Sequence, residues 1–231
     1  MHWPVGNTGP DGNLTFDYVP VSMILSIRWK YITEPTFLTA IQTWHALEKL
    51  VPTNKTKYIG ICNFGPKEFY KLLKNSTIKP AVHQMELHPY LQQTWWITQH
   101  KVHGIAVTAY SPLGDTNPTY HKGDDDDDKA PRLLDNPVLK KIAERRNCSV
   151  AQVALSWGIH RGTAVIPKSS NIKHIKENFV SPGCKLSLLD LAEIKGIGFK
   201  YLKRFNNPST AWGVKLFKGL EGVKKSTSQA N

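Results

Sequence analysis

The chain has 231 residues, 40% of them hydrophobic and 10% aromatic, and carries a formal charge of +12 at pH 7. That is the make-up of a globular protein with ample core, and no apolar run approaches the ~20 residues a transmembrane helix needs. Its lysines and arginines are scattered, neither gathered on one helix face nor interleaved with aromatics, so no nucleic-acid partner is expected; the same field attracts a phosphate-rich small molecule. The opening Met1-His2-Trp3-Pro4 lacks the basic and apolar regions of a signal peptide. Cys62, Cys148 and Cys184 are odd in number, far apart and form no CxxC pair. Neither a disulfide framework nor a zinc site is expected, and a reducing cytoplasm is the default compartment.

Along the chain, Val21–Ile32 is apolar without a clean period and breaks before a helix over Phe37–Leu50. Tyr58–Cys62 reads as a buried strand, and Pro66 opens a helix to Lys74. A strand over Ala81–Leu87, a helix over Thr94–Val102 and a strand over Ile105–Tyr110 follow. Residues 115–134 form a mobile loop holding the like-charge run Gly123–Lys129, whose adjacent carboxylates cannot converge on a cation without a scaffold. Asn136-Pro137 caps and starts a helix to Arg146. Ser149 with Gln152 makes a capping box for a helix to His160, and Ser187 with Asp190 does the same for one through Ile197. Between them lie a strand over Thr163–Pro167 and a helix over Asn171–Asn178, and residues 221–231 are a polar, flexible tail.

Strands separated by helices of this length pair in parallel. Residues able to do chemistry fall at the strand ends: Asn63; Gln84, Glu86 and His88; Tyr110 and Ser111; Lys168 and Ser169. A (β/α)8 barrel builds its site from those ends, whereas a doubly wound sheet carries GxGxxG after its first strand, and none is present. The fold class expected is therefore α/β: a single-domain TIM barrel over 1–231, parallel strands alternating with helices. Within it, Ile166-Pro167-Lys168-Ser169 is an arrangement for a phosphate. A helix start offers unpaired N–H groups, and the lysine before it adds a full charge.

His2-Trp3-Pro4, Thr43–Leu50 (TWHALEKL), Ile59–Phe64 (IGICNF), Lys79–Tyr90 (KPAVHQMELHPY), Val107–Gly114 (VTAYSPLG), Ile166–Ser169 (IPKS) and Glu177–Phe179 (ENF) stand in an order that resembles the aldo-keto reductase family in its NADPH-dependent branch. The resemblance implies an oxidoreductase that passes hydride from NADPH to a small aldehyde or ketone. It implies that Asn63 and Gln84 hold the nicotinamide carboxamide, which needs a donor and an acceptor that side-chain amides supply. Tyr110 would stack on the nicotinamide, Ser111 and Leu113 would lie along the pyrophosphate, Lys168 and Ser169 would take the 2′-phosphate, and Asn178 would sit near adenine. Trp3 would line the substrate pocket and His2 would orient the substrate carbonyl.

This chain also departs from the family pattern. Cys62 stands where a serine is usual, which weakens a hydroxyl contact to a thiol one. His174 stands where an arginine is common, leaving NADP preference mainly to Lys168. The family's tetrad is an aspartate, a tyrosine, a lysine and a histidine, and the first three lie on segments before the HWP motif at which this chain starts. The barrel is accordingly expected to be incomplete, His2 alone of the tetrad to be present, and turnover to be weak or absent. A catalytically dead NADPH-binding or regulatory protein is the alternative. His83, His88, His100 and His103 span strand, loop and helix without an acidic or cysteine partner, so they make no zinc set.

Overall fold

A computed structural model describes residues 7–8, 14–15, 37–114, 130–207, 209 and 216–220. The His2-Trp3 pair, the Val21–Ile32 stretch, the acidic run and the 221–231 tail lie outside the described residues. The chain divides into two compact units, Met1–His83 with Pro208–Asn231, and Gln84–Asn207.

In the first unit, strand β1 (Asn7–Thr8) pairs antiparallel with β2 (Leu14–Thr15), Asn7 opposite Thr15. Helix α1 (Phe37–Glu48) is fastened at its carboxyl end. Trp44 is fully buried and its indole N–H is shared between Glu48 Oε1 at 3.0 Å and the Ile78 carbonyl at 3.1 Å. The same carboxylate oxygen accepts the amides of Thr77 and Ile78 at 2.7 and 2.8 Å. Burial acts to raise the Glu48 carboxyl, and His45 with those two amides outweighs it, holding the group below its ordinary value. Strand β3 (Gly60–Cys62) is followed by α2 (Pro66–Asn75), which opens on its proline and buries Phe69 and Leu72. Strand β4 (Val82–Glu86) begins beside β3, where the Ala81 amide donates to the Ile59 carbonyl at 2.9 Å. Gly60 permits that approach, since a Cβ there would stand 2.5 Å from Val82 Cγ1.

In the second unit, the remainder of β4 and two further strands, β5 (Ala106–Tyr110) and β6 (Ala164–Val165), are neighbours in that order. Strands β5 and β6 run parallel, with Thr108 opposite Ala164 and Ala109 opposite Val165. Helix α3 (Thr94–Val102) joins β4 to β5, and α4 (Pro137–Arg146) and α5 (Val150–His160) lead to β6. Helices α6 (Ile172–Phe179) and α7 (Leu188–Lys200) follow. The caps fall where the sequence puts them. Asn136 accepts the Val138 amide at 2.9 Å, and Ser149–Gln152 and Ser187–Asp190 are both complete capping boxes. The core gathers Tyr90, Leu139, Ile142, Val153, Trp157 and Ile194. Strand β6 is shorter than its apolar run suggests: Thr163 turns its amide and hydroxyl to the Gly158 carbonyl, and Pro167 has no N–H to extend the ladder. Among the described residues no helix is long and apolar enough to cross a membrane.

The cysteine reading needs correction. A disulfide joins Cys148, immediately before the cap of α5, to Cys184, 36 residues on. Neither spacing nor count signals it. It follows from the packing of α5 on the turn after α6, where the Ser156 hydroxyl donates to the Cys184 carbonyl at 2.6 Å. Cys62 is the free thiol, and it is buried. Alkylation of the unfolded, unreduced protein is accordingly expected to label Cys62 alone. Labelling at Cys148 or Cys184 without prior reduction, read by peptide mass, goes against the bridge.

Candidate functional site

In a parallel sheet the carboxyl ends of neighbouring strands open on one edge. Tyr110, half-buried, is the last residue of β5. Ser111 turns the chain away with a left-handed φ of 47°, and the Gly114 amide closes the turn on the Ser111 carbonyl at 2.9 Å. Gly114 has φ 70°, and a Cβ there would stand 3.0 Å from the Phe205 ring and 3.1 Å from Leu133 Cβ. Both conformation and space therefore call for glycine. Leu113 is half-buried within this turn.

On the neighbouring strand the Ile166 amide donates to the Ala109 carbonyl at 3.1 Å. The chain then passes through Pro167 to the exposed Lys168. The register thus brings the Ser111 turn and the Lys168-Ser169 segment out of the same edge of the β5–β6 pair. The expectation of unpaired amides at the start of α6 is corrected in part. Ser169 Oγ accepts the Asn171 amide at 3.1 Å, and Asn171 Oδ1 accepts the Lys173 amide at 2.9 Å. Local side chains satisfy these donors, as Ser and Asn do at many helix starts, and the exposed Lys168 stands just before them. Asn178 sits half-buried in the last turn of α6, and His174 is exposed in its middle.

Gln84, half-buried in β4, shares a strand face with Glu86 two residues later. Glu86 is fully buried and all its acceptor capacity is used. Oε1 takes the Phe205 amide at 2.7 Å and His88 Nε2 at 2.9 Å; Oε2 takes the Asn206 amide at 2.8 Å and its side-chain nitrogen at 3.2 Å. Burial pushes this carboxyl up, and the His88 bond and charge, the Arg204 charge and the Phe205 amide outweigh it, so Glu86 is held below the ordinary carboxylate range. Asn206 Nδ2 also reaches Ser111 Oγ at 3.3 Å. Sequence reasoning missed this network. A glutamate at a strand end and a histidine two residues on hint at a pair, but nothing local points to residues 205 and 206.

The first unit carries Asn63 directly after β3, buried, with φ 59°. A left-handed asparagine is among the less costly non-glycine residues for such a bend. Its neighbour Cys62 has a thiol pushed up to about 12 by burial, so it stays neutral and unreactive at neutral pH. Three buried histidines have structural partners. His83 Nε2 lies 3.1 Å from the Phe64 amide, His88 meets Glu86, and His100 Nδ1 lies 2.6 Å from the Trp96 carbonyl. Among the described residues no group of three or more side chains could hold a metal. His2 and Trp3 lie outside the described residues.

A family model described as the aldo/keto reductase family matches residues 1–198. The chain belongs to that family. An uncharacterised oxidoreductase of Schizosaccharomyces pombe is 39% identical over 231 residues, covering 96% of this chain and 63% of the relative. A glycerol 2-dehydrogenase (NADP(+)) of Hypocrea jecorina is 35% identical over 226 residues, covering 94% and 63%. The structure of an aldose reductase from Giardia lamblia superposes with a TM-score of 0.72 at 28% identity, covering 94% of this chain and 66% of that one. The chain thus spans 63% of the length of each of these two curated relatives. The fold is that of the family's (β/α)8 barrel: parallel strands alternate with helices, and among the described residues the sheet is unclosed.

Proposed function

We propose that this aldo/keto reductase binds NADPH or NADP+ along the β5–β6 edge and serves the reduction of a small aldehyde or ketone to an alcohol. One observation carries the reading: the Tyr110-Ser111 turn and the Lys168-Ser169 segment emerge from adjacent ends of two parallel strands. That arrangement suits a ligand with an aromatic ring, a pyrophosphate and a further phosphate. Tyr110 offers a ring for the nicotinamide, and Gln84 offers an amide for its carboxamide. Ser111 and Leu113 border the pyrophosphate, Lys168 with Ser169 meets the 2′-phosphate, and Asn178 lies toward adenine. The roles of Asn63, His2 and Trp3 rest on the sequence resemblance alone. The net charge of +12 favours approach of a polyanionic cofactor. When bound, the cofactor supplies the hydride.

The residues must also hold water away from the ring and provide a proton to the carbonyl oxygen. In the family a tyrosine with its pKa lowered by a lysine does the latter, and none of the eight tyrosines here lies in that motif. Binding without appreciable turnover is therefore the expected behaviour of these 231 residues. Titration of cofactor fluorescence tests the first half, and NADPH consumption with an aromatic aldehyde tests the second. Absence of NADPH binding overturns the assignment. Turnover at the rate of active family members overturns the expectation of weak catalysis and leaves the cofactor reading in place.

A further inference from the structure

Burying a carboxylate is costly unless it is fully hydrogen-bonded, so the place where Glu86 spends its acceptors is informative. Three of the four bonds it receives come from the segment Phe205-Asn206, 119 and 120 residues further along. Two of these are main-chain amides and need no particular side chain. The third is the Asn206 carboxamide, and it fixes which way that group faces. Its nitrogen, not its oxygen, must point at a carboxylate, so the usual uncertainty between the two ends of an amide is removed. The nitrogen carries two hydrogens. One lies toward Glu86 Oε2 at 3.2 Å and the other toward Ser111 Oγ at 3.3 Å.

A hydroxyl has one hydrogen to donate and two lone pairs. With a lone pair of Ser111 engaged by Asn206, rotation about its C–O bond is restrained and the O–H has an acceptor to find elsewhere. The backbone is restrained as well, by the left-handed φ at Ser111 and the bond that closes its turn. We infer that Asn206, oriented by the buried Glu86, is a positioning residue that sets the Ser111 hydroxyl to donate to a phosphoryl oxygen of the cofactor's pyrophosphate. The inference rests on the cofactor reading above and names a residue that acts through Ser111 rather than touching the ligand.

The test is a double-mutant cycle on the full chain with NADPH as ligand. Asn206→Ala keeps its amide on Glu86, so the segment stays anchored while the carboxamide is lost. It is expected to weaken NADPH binding by about threefold to tenfold, the range of one hydrogen bond. Ser111→Ala is expected to do the same, and Asn206→Ala added to Ser111→Ala is expected to cost nothing further. Binding of 2′-AMP, which has the adenosine and 2′-phosphate but no pyrophosphate, should be unchanged in all three. Additive losses, an unaltered NADPH affinity in Asn206→Ala, or a parallel loss of 2′-AMP binding each overturn the inference and leave the cofactor assignment intact. A parent chain that binds neither ligand overturns both.

Discussion

Replacing Lys168 with methionine is expected to weaken NADPH binding by about 10- to 30-fold, the lower part of the range for a hydrogen bond to a charged group. The lower part applies because Lys168 is exposed and its ammonium is screened by solvent. In the proposed site Lys168 is the main attraction at this end. The nearest amides at the start of α6 are occupied by Ser169 and Asn171, and a histidine stands at 174. NADH, which lacks the 2′-phosphate, should bind the variant and the parent alike. The gap between the two proteins for NADPH should narrow as ionic strength rises. Fluorescence titration with both dinucleotides at low and high salt reads all three effects, and an equal loss for NADH places Lys168 elsewhere.

Asp190→Ala is expected to cost about 3 kcal/mol of folding stability, the scale for removing one partner of a buried ion pair. The carboxylate is fully buried and serves two structures together. It accepts the Ser187 amide at 2.7 Å as half of the capping box of α7, and it receives Arg146 Nε at 2.6 Å and the Arg145 guanidinium, so it bridges α7 to α4. Alanine leaves two arginines with reduced compensation and one helix start without its box. Burial acts to raise the Asp190 carboxyl, and the Ser187 amide and hydroxyl with both arginines outweigh it, holding the group far below the usual carboxylate range. A depressed folded value means that the stabilisation is complete above the unfolded value, about pH 4, and is lost as pH falls below it. Urea midpoints should therefore drop between about pH 4 and pH 2 in the parent, with a shallower slope in Asp190→Asn. Matching slopes in the two proteins would show that Asp190 is not a source of the acid sensitivity.

Asp190 also shows where reading the sequence stops. Ser187 and Asp190 are three residues apart, so a capping box is a local bargain between side chain and backbone, and the residues announce it. Ser149 with Gln152 and Asn136 with Pro137 are legible for the same reason. The arginines that complete Asp190 lie 44 and 45 residues away, and no spacing rule joins them to it. Tyr110 and Lys168 were legible as strand-end residues because strands alternate with helices along the chain. That the two leave one edge depends on the pairing of Ala109 with Val165.

What the sequence by itself determined is the alternation of strands and helices from residue 57 onward, the helix starts and the family motifs, since each depends on contacts within a few residues or on letters in a row. Only the tertiary structure decided that Glu86 collects Phe205 and Asn206, that Cys148 meets Cys184, and that Ser111 and Asn63 adopt left-handed backbone. The Glu86 bonds arise because a buried carboxylate must find donors wherever packing brings them, and the disulfide and the left-handed turns likewise depend on where the folded chain brings distant segments.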